Sequence, residues 1–300
     1  MRRGTTAALL AALLLAGCTS DGGEGTPPEP PPSTDGVGAP RPEGARLEQV
    51  RRAAARAVEV VLSHDHRTLA ADEAAATALM TPEYAEEFRT SFARLRSQAA
   101  RVQGSSRAVA LDSGVVSATA DTVRVLVFVD RTTRSGEVQQ SVARVAPVVS
   151  MELSGDAWRV SDIATGTTPG GDAPAGVEAA AVRHATRTAR AYLTLSWETI
   201  QADLAEVQGL IAGQLAGQYA DGADALVEAV RARRTVQRPR ILAVGLSGAH
   251  DGQVDALVSA LVTTTHQATG DGPSREGRRL RLRLERDGTG WRTTQLAVVD

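Results

Sequence analysis

The sequence predicts an α+β protein of two successive domains, each with three helices packed on a curved, four-stranded antiparallel sheet. Apolar residues first recur at helical spacing and then alternate, and the chain does this twice. A Gly/Pro-rich stretch at 165–176, TGTTPGGDAPAG, separates the two passages and is the natural boundary. The passages also echo each other. LSHDHRTLAADEAAATALMTPEYAEEF, from Leu62 to Phe88, is answered by LSWETIQADLAEVQGLIAGQLAGQY, from Leu195 to Tyr219. In that alignment Ser63 matches Ser196, Asp65 matches Glu198, Asp72 matches Asp203, Leu79-Met80 match Leu210-Ile211, and one two-residue gap is needed. Gly155 and Trp158 match Gly288 and Trp291 at the same offset of 133 (196 − 63) that relates the two serines. A period this long indicates a domain duplication and not a solenoid, because each copy is large enough to bury its own core.

The N-terminus carries the parts of a bacterial secretory signal over residues 1–18: Arg2-Arg3, an apolar run from Ala7 to Ala16, and small residues before the cleavage region. The run is shorter than the roughly 20 residues that a membrane-crossing helix needs. Leu15-Ala16-Gly17-Cys18 resembles a lipoprotein lipobox, which makes Cys18 the expected lipidation site and the first mature residue. The expected location is the extracytoplasmic face of the cell membrane, held by acyl chains on Cys18. Residues 19–45 hold most of the prolines and almost no large apolar side chain, so they read as a tether that cannot fold alone. As flexible coil its reach is about 28 Å root-mean-square.

In the first domain, 46–164, Leu47, Val50, Ala54, Ala57, Val58, Val61 and Leu62 mark one face of a long amphipathic helix. A short second helix begins at Asp72. Thr81-Pro82-Glu83 reads as N-cap, first-turn proline and first-turn acid of a third, ending near Val102. Strands are expected near 106–118, 122–133, 138–154 and 157–164, with turns at Ser135-Gly136 and Gly155-Asp156. The second domain, 177–300, repeats the order. Its first helix runs from Val177 to about Glu198, a short one follows Asp203, and a third reaches about Val236. Strands are expected near 239–247, 253–265, 277–286 and 290–298. Two such domains in one chain are expected to pack as an intramolecular pseudo-dimer, because a duplicated domain inherits the contact its ancestor made between subunits.

Composition excludes several functions. The formal net charge is −2, and becomes −4 once Arg2 and Arg3 leave with the signal (−2 minus 2), which argues against a nucleic-acid binder. Aromatic residues are only 3%, too few for base-stacking platforms. With one cysteine there is no disulfide framework and no thiolate metal cluster. Gly-rich phosphate loops, His-Glu-x-x-His and Gly-x-Ser-x-Gly are missing from the sequence. No cofactor is expected.

The reactive-looking cluster is His64-Asp65-His66. Two histidines two apart would begin a metal site only with a third ligand, and none is evident in the sequence. The aligned Trp197-Glu198-Thr199 keeps an acid and drops both histidines, so Asp65 and Glu198 read more readily as structural acceptors than as catalysts. Trp158 and Trp291 read as core anchors of the last strand, or else as residues lining a cavity. Arg279, Arg281 and Arg283 alternate with Leu280, Leu282 and Leu284, which puts three guanidinium groups on one sheet face. That face is expected to be solvated, with contact to acidic headgroups or an acidic partner as the alternative.

A long helix ending in Leu62-Ser63, an acid two residues on, and a Leu79-Met80 or Leu210-Ile211 pair before a helix bearing Phe88 or Tyr219 form one set of markers. With four strands and a Gly-x-x-Trp hairpin into the last, they resemble the Mce-associated proteins of actinobacteria. The resemblance spans both domains and implies NTF2-like folds on an extracytoplasmic protein encoded beside Mce lipid and sterol importers. The chain departs from that pattern in having two domains behind a lipobox, where the family usually has one behind a transmembrane helix. His64 and His66 also stand where the family tends to have aromatic residues. The expectation is a non-enzymatic, lipid-anchored accessory protein working through contacts with Mce transporter components. The alternatives are a binding module with a small apolar ligand in an NTF2-like cone, or an acid/base enzyme using Asp65.

Overall fold

A computed structural model of the chain describes residues 44–136, 139–165, 177–250, 252–270, 272–288 and 290–299. The signal segment with Cys18, the tether and nearly all of the linker lie outside the described residues.

In the first half, α1 (Gly44–Leu62) is followed by β1 (His64–Asp65), α2 (Leu69–Thr77) and α3 (Pro82–Val102). Strands β2 (Ser105–Ala118), β3 (Thr122–Ser135), β4 (Gln139–Val145), β5 (Val148–Ser154) and β6 (Ala157–Ala164) complete it. The second half has α4 (Val177–Leu193), β7 (Leu195–Ser196), α5 (Ile200–Gln208), α6 (Gly213–Asp221) and α7 (Ala223–Arg233). Its strands are β8 (Thr235–His250), β9 (Gln253–His266), β10 (Ser274–Arg286) and β11 (Trp291–Val298).

The apolar spacing of α1 buries Val50, Ala54, Ala57 and Val58 against Val123, Val125, Val127 and Val129 of β3 and Val149 and Met151 of β5. In the second half Ala181, Ala185, Ala189 and Leu193 of α4 pack on Ala256, Val258, Leu280, Leu282 and Leu284. Alanine on the helix lets it approach the branched side chains of the sheet closely.

Three expectations are corrected. The strand placed at 138–154 is two strands, because Pro147 at the bend has no N–H to continue the ladder to β3; β4 pairs the far end of β3, and β5 pairs its near end. The third helix of the second half breaks at Gly222 into α6 and α7, whereas α3 runs unbroken. The first helix of that half stops at Leu193, short of Glu198, because the chain turns there into β7.

The alignment register also changes. Asp72 and Asp203, Gly114 and Gly245, and β3 and β9 are all related by 131 positions (203 − 72), and an offset of 133 (291 − 158) holds only beyond the β3–β4 hairpin. The structure shows this directly. Gln103 and Arg234, 131 apart, end α3 and α7 in the same left-handed conformation, at φ 48° and 47°. Ladder shifts at Ala110/Asp112 and Val115/Ser117 recur at Ile241/Ala243 and Leu246/Gly248, so the bulges that curve β2 also curve β8. The equivalent of Asp65 is therefore Ser196, and Glu198 stands where the first half has Arg67.

The sheets join. The path β11-β10-β9-β8-β2-β3-β5-β6 is one antiparallel sheet, in which β2 meets β8 at Val115 and Leu246. These two residues are themselves 131 apart, so equivalent positions face each other, as a two-fold axis through the join requires. On the face away from α1, Leu126, Phe128 and Val148 share a core with Leu257 and with the partly buried Ala243 and Val299. β3 is thus buried on both faces, by its own helix on one and by the second half on the other.

Candidate functional site

Each half carries an acid in the first turn of its second helix, Asp72 in α2 and Asp203 in α5. The Asp72 carboxylate accepts from the Asp65 backbone N–H at 2.9 Å and from the Thr68 hydroxyl at 3.0 Å. The Asp203 carboxylate accepts from the Ser196 N–H at 2.8 Å and from the Thr199 hydroxyl at 3.0 Å. Both tie a two-residue strand, β1 or β7, to the first turn of the next helix, where an anion is also favoured by the helix dipole. These are the matched structural acids. Asp65 turns outward: its carboxylate accepts from the Arg67 N–H and guanidinium, at 2.7–2.9 Å, and that bonding holds it far below the usual carboxylate range. Glu198 is exposed. The pairing of Asp65 with Glu198 is therefore corrected, since sequence spacing could not show where the two-residue offset falls.

His66 Nδ1 lies 3.4 Å from Asp65 Oδ1 in a buried position, without hydrogen-bond geometry. His64 is half-buried, and burial first, then the nearby Arg131 charge, push it below its ordinary value. Among the described residues no three His, Cys, Asp or Glu side chains form a group suited to a metal ion. In the second half His184 Nε2 lies 3.3 Å from the Thr188 hydroxyl and 3.2 Å from that of Thr293, both fully buried. Burial likewise lowers the pKa of His184. The first half has Ala53, Ala57 and Val160 at those places, so this polar cluster belongs to the second half alone.

Two of the three arginines, Arg279 and Arg281, cross the seam. Arg279, 4% exposed, donates to Val129 O at 3.1 Å, Asp130 Oδ1 at 2.8 Å and Val299 O at 3.0 Å, and lies 5.7 Å over the Phe128 ring. This corrects the solvated face expected there. Arg281 pairs with Asp112 of the first half, an acid also 3.8 Å from Arg51 of α1. Arg283 pairs with Asp255 at 2.8 Å on the neighbouring strand β9. The acids these guanidinium groups meet belong to this chain. Alternation revealed the ladder, but Asp130 and Asp112, which meet Arg279 and Arg281, lie more than a hundred residues away in sequence.

Trp291 is 8% exposed and sits in the second core, with Arg286 5.7 Å over its ring. Trp158 is partly buried against the first core, with Arg46 at 5.5 Å. The strands bearing them dock on the chain before the third helix: Val160 N–H donates to Leu79 O, and Thr293 N–H to Leu210 O, at 2.9 and 3.0 Å. Sequence reading missed a concavity of about 420 Å³ in the second half, lined by Tyr192, Leu193, Leu195, Tyr219, Leu226 and Arg278 among others.

No protein-family model and no curated protein matches the chain. Among solved structures it is similar to the periplasmic domain of DotI, with 17% identity over 43% of this chain and 99% of that one and a TM-score of 0.36. It is similar to VirB8 of Agrobacterium tumefaciens, with 13% identity over 43% and 96% and a TM-score of 0.35. It is also similar to an Ntf2-like protein involved in plasmid conjugation, with 9% identity over 84% and 96% and a TM-score of 0.30. The chain is an α+β protein whose helices pack on a large, bulged antiparallel sheet. No described helix is long and apolar enough to cross a membrane.

Proposed function

We propose that the chain is a lipid-anchored, extracytoplasmic accessory protein of the bacterial cell envelope that works by protein contact and not by catalysis. Its two NTF2-like halves arose by duplication and act as one platform, in support of an Mce-type lipid or sterol importer. The observation that carries the contact role is a set of exposed apolar side chains on the strands of the first half. Val109 and Leu111 on β2 are 42% and 43% exposed, and Val142 on β4 is 59% exposed. The ladder puts Val142 on the face of Val109, because Val142 pairs Thr132, Thr132 pairs Arg107, and Arg107 is two residues from Val109. Asp130, Thr132 and Arg144 lie on the same face, a mix of apolar and charged side chains such as protein interfaces carry. The reactive-looking acids support the same reading, since Asp72 and Asp203 hold turns and Asp112 and Asp130 hold the seam. The anchor rests on Leu15-Ala16-Gly17-Cys18, and the importer on the resemblance to Mce-associated proteins.

Affinity purification of the tagged protein from membranes tests this reading. Importer components are expected with the wild type and are expected to be lost from Val109→Arg/Val142→Arg, a variant whose changes sit on solvent. Equal recovery from both proteins, or no membrane-protein partner at all, contradicts it. Cys18→Ser should abolish acylation and leave the protein unprocessed, or processed at another site without the lipid.

A further inference from the structure

The second half holds a concavity that the first half lacks the means to form in the same way. It opens between the end of α4, the break between α6 and α7, and strands β8, β10 and β11. Its volume of about 420 Å³ falls in the range of small-molecule sites, about 300–1,000 Å³. The origin is local. In α3, Phe88 and Phe92 stack at 5.3 Å between ring centroids and pack with Leu69 and Leu95. The residue 131 positions after Phe92 is Ala223, and the one before it is Gly222, where the helix breaks. The helix face that carries two rings in the first half carries only Tyr219 in the second.

The lining mixes apolar and polar groups, Gln218 and Gln237 among the polar ones. Leu193, Leu195, Leu226 and Val298 supply aliphatic wall, and Tyr192 and Tyr219 face each other with ring centroids 6.5 Å apart. Neither phenol hydroxyl has a hydrogen-bond partner among the described residues. Among the described residues no Asp or Glu lines the space, and the one charged lining group is Arg278. That guanidinium touches Glu276 at 2.9 Å, outside the lining, and Glu276 is itself 44% exposed and free to turn to water. Burial raises both phenols, Tyr219 to about 12, so they remain protonated donors at neutral pH.

We infer that this concavity binds an amphiphile with one apolar chain and one carboxylate, the chain lying against Leu193, Leu195, Leu226 and the two rings, the carboxylate meeting Arg278 and the tyrosine hydroxyls. A carboxylate can take the place of Glu276 on the Arg278 guanidinium and accept from the two hydroxyls as well. The inference stands apart from the contact role of the first half's outer face, and either can fail while the other holds.

The test is fluorescence titration of the full chain with a dansylated long-chain carboxylate, competed by the unlabelled acid and by its methyl ester. Saturable one-to-one binding is expected, with the ester a competitor at least about tenfold weaker, as expected for losing a charge-assisted hydrogen bond. Gly222→Leu fills the space at little structural cost, because a Cβ there meets only Gln218 O at 3.6 Å and Tyr219 O at 4.0 Å. It should weaken binding about tenfold or more while the melting temperature holds. Arg278→Gln should weaken the acid to the level of the ester. Absence of saturable binding, equal competition by acid and ester, or undiminished binding by both variants would overturn the proposal.

Discussion

Gly114 and Gly245 meet backbone to backbone at the seam, and neither position has room for a side chain. A Cβ on Gly114 would stand 2.8 Å from the Gly245 carbonyl carbon, and one on Gly245 2.5 Å from the Gly114 carbonyl oxygen. The atoms in the way are main chain, so they cannot swing aside. Because the two glycines are equivalents in their halves, each licenses the close approach of the other, and the β2–β8 pairing at Val115 and Leu246 follows.

Gly114→Val or Gly245→Val should therefore force the two strands apart. We expect a loss of about 3 kcal/mol, the upper range for overpacking a tight site. Thermal melts should broaden or split as the halves uncouple. Gly136→Val is not a fair control, because its φ of 63° would add strain of its own; Gly277, with open space around it, is.

Arg279→Met should cost about 2 kcal/mol, because it strips two carbonyls and Asp130 of a buried donor. The figure lies below that for a fully buried pair, since Asp130 is 33% exposed and partly screened by water. Arg283→Met, at a more exposed pair on adjacent strands, should change the urea midpoint much less.

Asp72→Ala and Asp203→Ala should each destabilise by about 1 kcal/mol, as losses of helix-start acceptors do. They should add in the double variant, since they lie in different halves. Glu198→Gln should stay within about 0.5 kcal/mol of the wild type, as an exposed position does. Asp65→Asn should leave function in cells intact. Loss of importer function with stability and abundance unchanged would instead assign Asp65 a catalytic part.

Histidine sets an acid limit. Burial lowers the pKa of His64 and His184 below the ordinary 6.5, so the unfolded chain takes up protons more readily than the folded one. The stability tied to their neutral forms is complete above about pH 6.5 and is lost as pH falls below it. Urea midpoints at about pH 7.5 and about pH 5.5 should differ, and His64→Gln and His184→Gln should each narrow the gap.

Much of the fold was legible because it is written in local chemistry. Val123, Val125, Val127 and Val129 alternate, Thr81-Pro82 starts a helix, and Gly155 turns a hairpin at φ 61°. What was not legible depends on contacts between distant residues. β1 and β7 are two residues long and exist because β2 and β8 pair with them. The loss of an N–H at Pro147 was visible, yet the sequence did not say that the strand would divide there. Even the register was misleading: the same offset of 133 joined Ser63 to Ser196 and Trp158 to Trp291, but only the second pair is equivalent. The outer-face burial of Leu126, Phe128 and Leu257, and the destination of Arg279, required both halves to be in place.

The two halves form one body through the seam. Native-state hydrogen exchange of the described strands tests it most directly, read at β3 and β9, the central strands of each half. In one cooperative body the slowest amides of both strands exchange through the same global opening and share one free energy, while Gly114→Val separates them. Two distinct opening free energies in the wild-type protein, unchanged by Gly114→Val, would contradict it.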